Sequence, residues 1–275
     1  MSARATPSLS HGRNLDAFLD AWLAAVRAAL GEQFVGAYLH GSLGVGDFDR
    51  HSDLDFVVAI RGELSWSELA ALAKLHEELH ADPSPWARQL DGSYVPLEIL
   101  RKYDPAHTNL PYLDRGSRHL IGSDHCNQAV VRWMVRERGI TWAGPDPREL
   151  IDPVPATHLR EQAANHLRLW TEEIEAGPAA LDNGWYQPYV VLSYCRMLHT
   201  IERGSVVSKP VAARWALATL NAEWHDLIVR AVATREDPAG RSRQKADRDD
   251  LARTRPFIQT IFRRGTEHAG AMPAR

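Results

Sequence analysis

The sequence predicts an α/β unit of the α+β kind over residues 1–150, followed by an all-α helical bundle over residues 151–275. Three observations lead there. Two short apolar runs, Phe34 to Leu39 and Leu54 to Ile60, have the length of strands and lie between segments of helical periodicity. Two Pro-rich stretches, Trp142 to Pro147 and Ile151 to Pro155, interrupt the chain near its middle. Beyond them the apolar spacing is helical almost throughout. A length of 275 residues, with 44% apolar and 24% charged residues, suits two modest soluble domains with real cores.

Leu15, Phe18, Leu19, Trp22, Leu23, Val26 and Leu30 recur at helical spacing, and Gly31 stands where a helix stop belongs. The two apolar strands come next. Ser67 to His80 predicts a helix with Leu69, Leu72, Leu75 and Leu79 as its stripe, broken by Asp82-Pro83-Ser84-Pro85. Tyr94 to Leu100 reads as a third strand, at an edge or at its start because of Pro96. Asp104 to Gly122 reads as an irregular polar loop that contacts substrate, with Tyr103, His107 and Tyr112 nearby. Cys126 to Arg138 reads as a helix. In the second half, helices are expected over Thr157 to Glu175, Gln187 to Glu202, Lys209 to Leu220, Glu223 to Thr234 and Pro256 to Arg264. Ser208-Lys209-Pro210 is a helix start with Pro in the first turn. Arg235 to Arg255 is charged enough for either a solvated helix or a loop.

The segment joining the first two strands carries the chemistry. It holds Gly41-Ser42 and then Ser52-Asp53-Leu54-Asp55. Residues i and i+2 of a strand share a face, so Asp53 and Asp55 point side by side. Two carboxylates so close repel unless a cation holds them, and a hard divalent ion takes carboxylate oxygens while leaving places for water and phosphate. The Gly-Ser turn offers backbone N–H groups and a hydroxyl to phosphate oxygens. Together these residues describe a site for a metal-bound nucleoside triphosphate. Glu98, inside an apolar run, is the candidate third carboxylate; its alternation with Leu97 and Ile99 equally permits a solvent-facing position.

This pattern resembles the signature of the DNA polymerase β-like nucleotidyltransferase superfamily. The helical half narrows the resemblance. Tyr189-Val190-Val191-Leu192-Ser193-Tyr194-Cys195-Arg196-Met197-Leu198-His199-Thr200 and Gly204 to Ala216 look like the helical domain of aminoglycoside adenylyltransferases, the streptomycin/spectinomycin 3″-adenylyltransferases in particular. The resemblance covers most of Leu15 to Thr234. It implies a nucleotidyltransferase domain and a helical domain with ATP and drug bound between them, Mg²⁺ (two ions) as cofactor, and AMP transfer to a drug hydroxyl with release of pyrophosphate. It further implies that Gly41, Ser42 and Ser52 contact the triphosphate, that Asp53 and Asp55 hold magnesium, and that Glu98 is the catalytic base with a secondary role near the metal. Arg196 and Lys209 match cations that reach the phosphates. An aspartate that meets the cationic drug in streptomycin enzymes has Asp182 as its nearest counterpart, and their drug-stacking tryptophan has no match in the loop after the base. Trp185, Tyr186 and Tyr189 offer an aromatic wall instead.

Other readings remain open on sequence grounds. One is transfer to a different small molecule or to a protein hydroxyl; another is a nucleotide-sensing or antitoxin-like module without turnover, which need not retain a full carboxylate set. A net charge of −3 speaks against a dedicated nucleic-acid binder. No apolar run approaches the ~20 residues that span a bilayer, and Met1 to Gly12 lack the apolar core of a secretory signal, so a cytoplasmic location is expected. Cys126 and Cys195 are too few for a disulfide framework. His40, His51, His125 and His199 show no metal-ligand spacing and read as structural.

Overall fold

The computed structural model describes residues 13–48, 52–104, 106–234 and 241–270. The Met1–Gly12 segment, His51 and part of the charged Arg235–Arg255 stretch lie outside the described residues. The chain divides into two compact units, Met1–Pro153 and Val154–Arg275.

The first unit is built on a sheet ordered β5-β4-β3-β2-β1-β6. Its strands are β1 (Phe34–Leu39), β2 (Leu54–Ile60), β3 (Leu90–Pro96), β4 (Leu110–Leu113), β5 (Leu120–Ser123) and β6 (Ile140–Ala143). Only β2 and β3 pair in parallel among the described strands; every other neighbouring pair is antiparallel. The parallel pair requires a crossover, and helix α3 (Trp66–Ala81) supplies it. Ser65 starts α3 with a capping box, accepting from the Glu68 N–H while the Glu68 carboxylate accepts from the Ser65 N–H.

The period-2 alternation of the strands sorts their side chains into two cores. Phe56, Val58, Ile60 and Tyr94 pack with α1 (Arg13–Leu30) and Leu72 of α3 on one face. Val57, Ala59, Val95 and Tyr112 pack with Cys126 and Val135 on the other, beneath α4 (Leu97–Arg101) and α5 (Ala129–Arg138). Two expectations are corrected here. The Asp104–Gly122 segment is not a loop throughout, since it contains β4 and the start of β5. The third strand runs from Leu90 to Pro96, and the chain turns helical at Leu97. Sequence reading also missed β6, a short edge strand beside β1.

On the α1 face, His76 is 1% exposed and bonds through Nε2 to the Tyr94 hydroxyl at 2.7 Å. Burial pushes its pKa down to about 4 from an ordinary 6.5. The folded unit therefore refuses a proton that the unfolded chain accepts between about pH 6.5 and 4. This contribution to stability is complete above pH 6.5 and fades as pH falls through that window, by up to ~3 kcal/mol. Urea unfolding at pH 7 and pH 5 is expected to show the loss, and His76→Gln is expected to flatten the slope.

The second unit contains α7 (Ala156–Ala176), α8 (Tyr186–Arg203), α9 (Lys209–Thr219), α10 (His225–Ala233) and α11 (Arg248–Gly270), with the short α2 (Gly41–Gly44) and α6 (Pro147–Leu150) belonging to the first. α8 is the central helix, buried along most of its length and packed against α7, α9, α10 and α11. Ser208 caps α9 by accepting from the Val211 N–H, with Pro210 in the first turn as expected. α11 is longer than the Pro256–Arg264 segment anticipated and carries Pro256 within it. No helix among the described residues is long and apolar enough to cross a membrane.

Candidate active site

Asp55 lies on β2 with the parity of Val57 and Ala59, so it shares the sheet face that α4 and α5 cover. In the parallel pairing Leu54 meets Leu90 and Asp55 meets Asp91. Neighbouring strands are ~4.8 Å apart, which brings the two carboxylates side by side on one face. Asp53 precedes Asp55 by two residues at the entry to the same strand. Asp53, Asp55 and Asp91 thus form the acidic end of this face, with Tyr112 of β4 beside them.

Asp91 was missed by sequence reading. It is held by the Tyr112 hydroxyl, which donates to Oδ1 at 3.0 Å and reaches Asp114 Oδ1 at 3.4 Å. Burial raises the Asp91 carboxyl above the ordinary range. His125, the Tyr112 hydroxyl and the Arg115 N–H act in the opposite direction, and Asp114 adds to the rise. The His125 ring stacks on Tyr112 with centroids 4.9 Å apart. Cys126 is 3% exposed and burial pushes its thiol up to about 12, so it is no nucleophile at neutral pH.

Glu98 is not brought to this cluster. The strand ends at Pro96, paired with Ile60 at the far end of β2, and Glu98 sits exposed on the helical turn α4. Five residues of strand put Pro96 about 17 Å from Asp91, at ~3.3 Å per residue, and Glu98 follows beyond that end.

The Gly-Ser turn closes the acidic end. The His40 N–H donates to the Asp55 carbonyl at 2.9 Å, tying the turn to β2. Gly41 has φ +61, and a Cβ placed there would lie 1.8 Å from Asp55 Oδ2. The position accepts only glycine, for both backbone and contact reasons. Ser42 Oγ is shielded from solvent and lacks a hydrogen-bond partner, an orphaned group suited to a phosphate oxygen. Ser52 is buried beside the pair. Gly41→Ala is expected to displace the Asp55 carboxylate and lower turnover by about 100-fold or more. It is also expected to destabilise the unit by about 1–2 kcal/mol, measured by steady-state kinetics and urea unfolding.

In the second unit α7 and α8 line a cavity of about 450 Å³ bounded by Trp170, Glu173, Tyr189, Ser193 and Arg196. The Lys209 ammonium lies 3.9 Å above the Tyr189 ring, so Arg196, Lys209 and Tyr189 are neighbours. The aromatic wall exists: Trp185 stacks on Tyr189 at 5.1 Å, and Tyr186 packs on both at 6.4 Å. Trp170 extends it, donating from Nε1 to the Tyr186 hydroxyl at 3.1 Å. Asp182 does not join the cavity; its carboxylate is paired with Lys245 at 2.8 Å. The acidic side chain that does line the cavity is Glu173, which sequence reading passed over because it lies on the polar face of an amphipathic helix.

Residues 149–261 match the family model for the aminoglycoside adenylyltransferase C-terminal domain. An aminoglycoside (3″)(9) adenylyltransferase of Rhizobium radiobacter is 30% identical over 211 residues, covering 73% of this chain and 74% of the relative. This chain belongs to the aminoglycoside adenylyltransferase family. It is therefore a nucleotidyltransferase, with a mixed-sheet first unit and a helical second unit. Within the adenylyltransferases, a Klebsiella pneumoniae (3″)(9) enzyme is 27% identical over 207 residues, covering 72% of this chain and 76% of that one. A Staphylococcus aureus spectinomycin 9-adenylyltransferase is 25% identical over 229 residues, covering 75% of this chain and 79% of that one. The solved structure of spectinomycin adenyltransferase from Enterococcus faecialis with ATP and spectinomycin shares the fold. Its TM-score is 0.68 at 16% identity, covering 90% of this chain and 98% of that one.

The acidic end of this adenylyltransferase offers carboxylate oxygens, the donors that a hard divalent ion takes. Among the described residues no group of three or more His, Cys, Asp and Glu side chains is disposed to hold a metal by itself. Asp53 and Asp55 instead offer a two-carboxylate set, the number Mg²⁺ commonly takes from protein when phosphate oxygens and water complete its octahedron.

Proposed function

We propose that this chain transfers AMP from ATP to a hydroxyl group of an aminoglycoside-class antibiotic, releasing pyrophosphate and leaving an O-adenylylated, inactivated drug. The observation that carries the reading is the register of the parallel pair, which sets Asp91 beside Asp55 under the Gly41-Ser42 turn in a chain of this family. Asp53 and Asp55 would hold Mg²⁺, one ion or two, and the ion would neutralise phosphate charge.

The chain's own groups then divide the work. Asp91, a carboxyl of raised proton affinity, accepts the proton of the attacking hydroxyl. Tyr112 orients Asp91 through its hydrogen bond. Ser42 and Ser52 meet the triphosphate, and the Gly41 turn gives phosphate oxygens room against Asp55. Arg196 and Lys209 are the side chains assigned to phosphate charge, since a triphosphate requires cations beyond the metal. The acceptor's cationic amines suit Glu173 and the Trp170–Tyr189 aromatic wall, which offers ring faces for cation–π contact.

The test is mass spectrometry of the full chain incubated with Mg²⁺, ATP and either spectinomycin, streptomycin or other aminoglycosides, with Asp55→Asn as control. A gain of one AMP on a drug, absent in the control, is the expected result. No gain on any drug across the panel rejects the acceptor class.

A further inference from the structure

The tight turn between β4 and β5 places one residue against both acidic strands. The Arg115 guanidinium lies 2.6 Å from Asp53 Oδ1, and the Arg115 backbone N–H donates to the Asp91 carboxylate. The turn is closed by the Ser117 N–H donating to the Asp114 carbonyl at 2.9 Å, and Gly116 takes φ +74, a left-handed conformation that glycine adopts freely. Arg115 is therefore anchored by its backbone while its side chain can leave. The side chains of Arg115 and Asp53 are 33% and 39% exposed, so the pair opens directly to water.

A hard divalent ion at this end needs an Asp53 oxygen, and the chain presents its own cation to that carboxylate. Among the described residues no group of three or more His, Cys, Asp and Glu side chains forms a cage that would draw the ion in without phosphate oxygens. Both facts weigh against loading of the ion alone. We propose that Arg115 is a built-in competitor for the divalent cation at Asp53, so that the ion is taken up together with the triphosphate. Arg115 yields Asp53 when phosphate oxygens arrive to complete the ion's coordination. The proposal rests on the reading of Asp53 and Asp55 as the metal ligands. It adds a residue that sets the order of binding.

The experiment titrates the full chain with Mn²⁺ alone, followed by electron paramagnetic resonance of the free ion, and then with Mn²⁺ in the presence of α,β-methylene-ATP. Wild type, Arg115→Gln, Arg115→Lys and Asp53→Asn are compared. Arg115→Gln is expected to bind Mn²⁺ alone about 5- to 100-fold tighter than wild type, the range of ordinary coupling between two ligands. The gap is expected to narrow with the nucleotide analogue present, and Arg115→Lys is expected to stay near wild type. Equal or weaker Mn²⁺ binding by Arg115→Gln, with Asp53 still required, overturns the competitor role alone. Mn²⁺ binding unchanged by Asp53→Asn overturns the metal-ligand reading, and the competitor role falls with it.

Discussion

Asp91→Asn is expected to lower AMP transfer by roughly 10²–10⁴-fold, the usual contribution of a positioned general base, whereas Glu98→Gln is expected to leave turnover within about twofold of wild type. The contrast follows from β3. Asp91 pairs in register with Asp55 and accepts from Tyr112, while Glu98 sits exposed past the other end of the strand. Asparagine keeps the shape of the side chain and can still accept from the Tyr112 hydroxyl, so the fold is expected to survive. Removing a charge from a group flanked by Asp55 and Asp114 relieves repulsion, and the melting temperature is expected to hold or rise. Pyrophosphate release under saturating ATP and drug gives the rate, and binding of a non-hydrolysable nucleotide shows whether the site still forms. Normal turnover in Asp91→Asn, or its loss in Glu98→Gln, would refute the assignment.

Arg132→Ala is expected to destabilise the first unit by about 2–5 kcal/mol, the cost of two stranded buried acceptors and a cavity, lowering its melting temperature by roughly 4–20 °C. Arg132 is 2% exposed, yet its contacts are to neutral acceptors: the Ile99 carbonyl and Asn127 Oδ1, each at 2.5 Å. Burial lowers its pKa to about 10, still well above neutrality, so it remains a cation at pH 7. Alanine would leave a cavity and two buried acceptors without donors. The damage spreads because Asn127, held by Arg132, donates to the Asp104 and His107 carbonyls at 2.8 and 2.6 Å. Those carbonyls belong to the segment that leads into β4, where Tyr112 sits. Both acceptors are served by one nitrogen, Nη2, so Arg132→Lys, whose ammonium carries three donors, is expected to rescue part of the loss. Calorimetry distinguishes the outcomes, and a fall of under about 1 kcal/mol would show the contacts to be incidental.

Much of this was legible in the residues. The Gly41-Ser42 and Asp53-Leu54-Asp55 segment announces itself because its spacing obeys strand periodicity between two clear apolar runs. α8 and the Ser208-Lys209-Pro210 start of α9 are equally plain, being strong local signals. Asp91 was hidden for a physical reason. Gly92 and Ser93 interrupt the apolar run, so β3 seemed to begin at Tyr94, and Glu98 took the place of the strand carboxylate. A signal did exist: β2 and β3 both open on Leu-Asp, and the register pairs Leu54 with Leu90 and Asp55 with Asp91. Recognising it requires knowing that these strands run in parallel, which is a tertiary fact. β4 and β5 are four residues each, too short for alternation to stand out from a loop. Asp182 was chosen for its place in sequence, and only the side-chain geometry shows it paired with Lys245.

The parallel pairing of β2 and β3 also bears on how this chain can diverge. The separation of Asp55 and Asp91 is set by the distance between hydrogen-bonded strands, and the residues that link them along the chain do not enter into it. Segments flanking α3, such as Asp82-Pro83-Ser84-Pro85, can therefore gain or lose residues while the two carboxylates stay abreast. The Gly41-Ser42 turn itself has no such latitude, because Gly41 packs against the Asp55 carboxylate. Length variation among descendants of this chain should thus gather on the crossover and spare the turn.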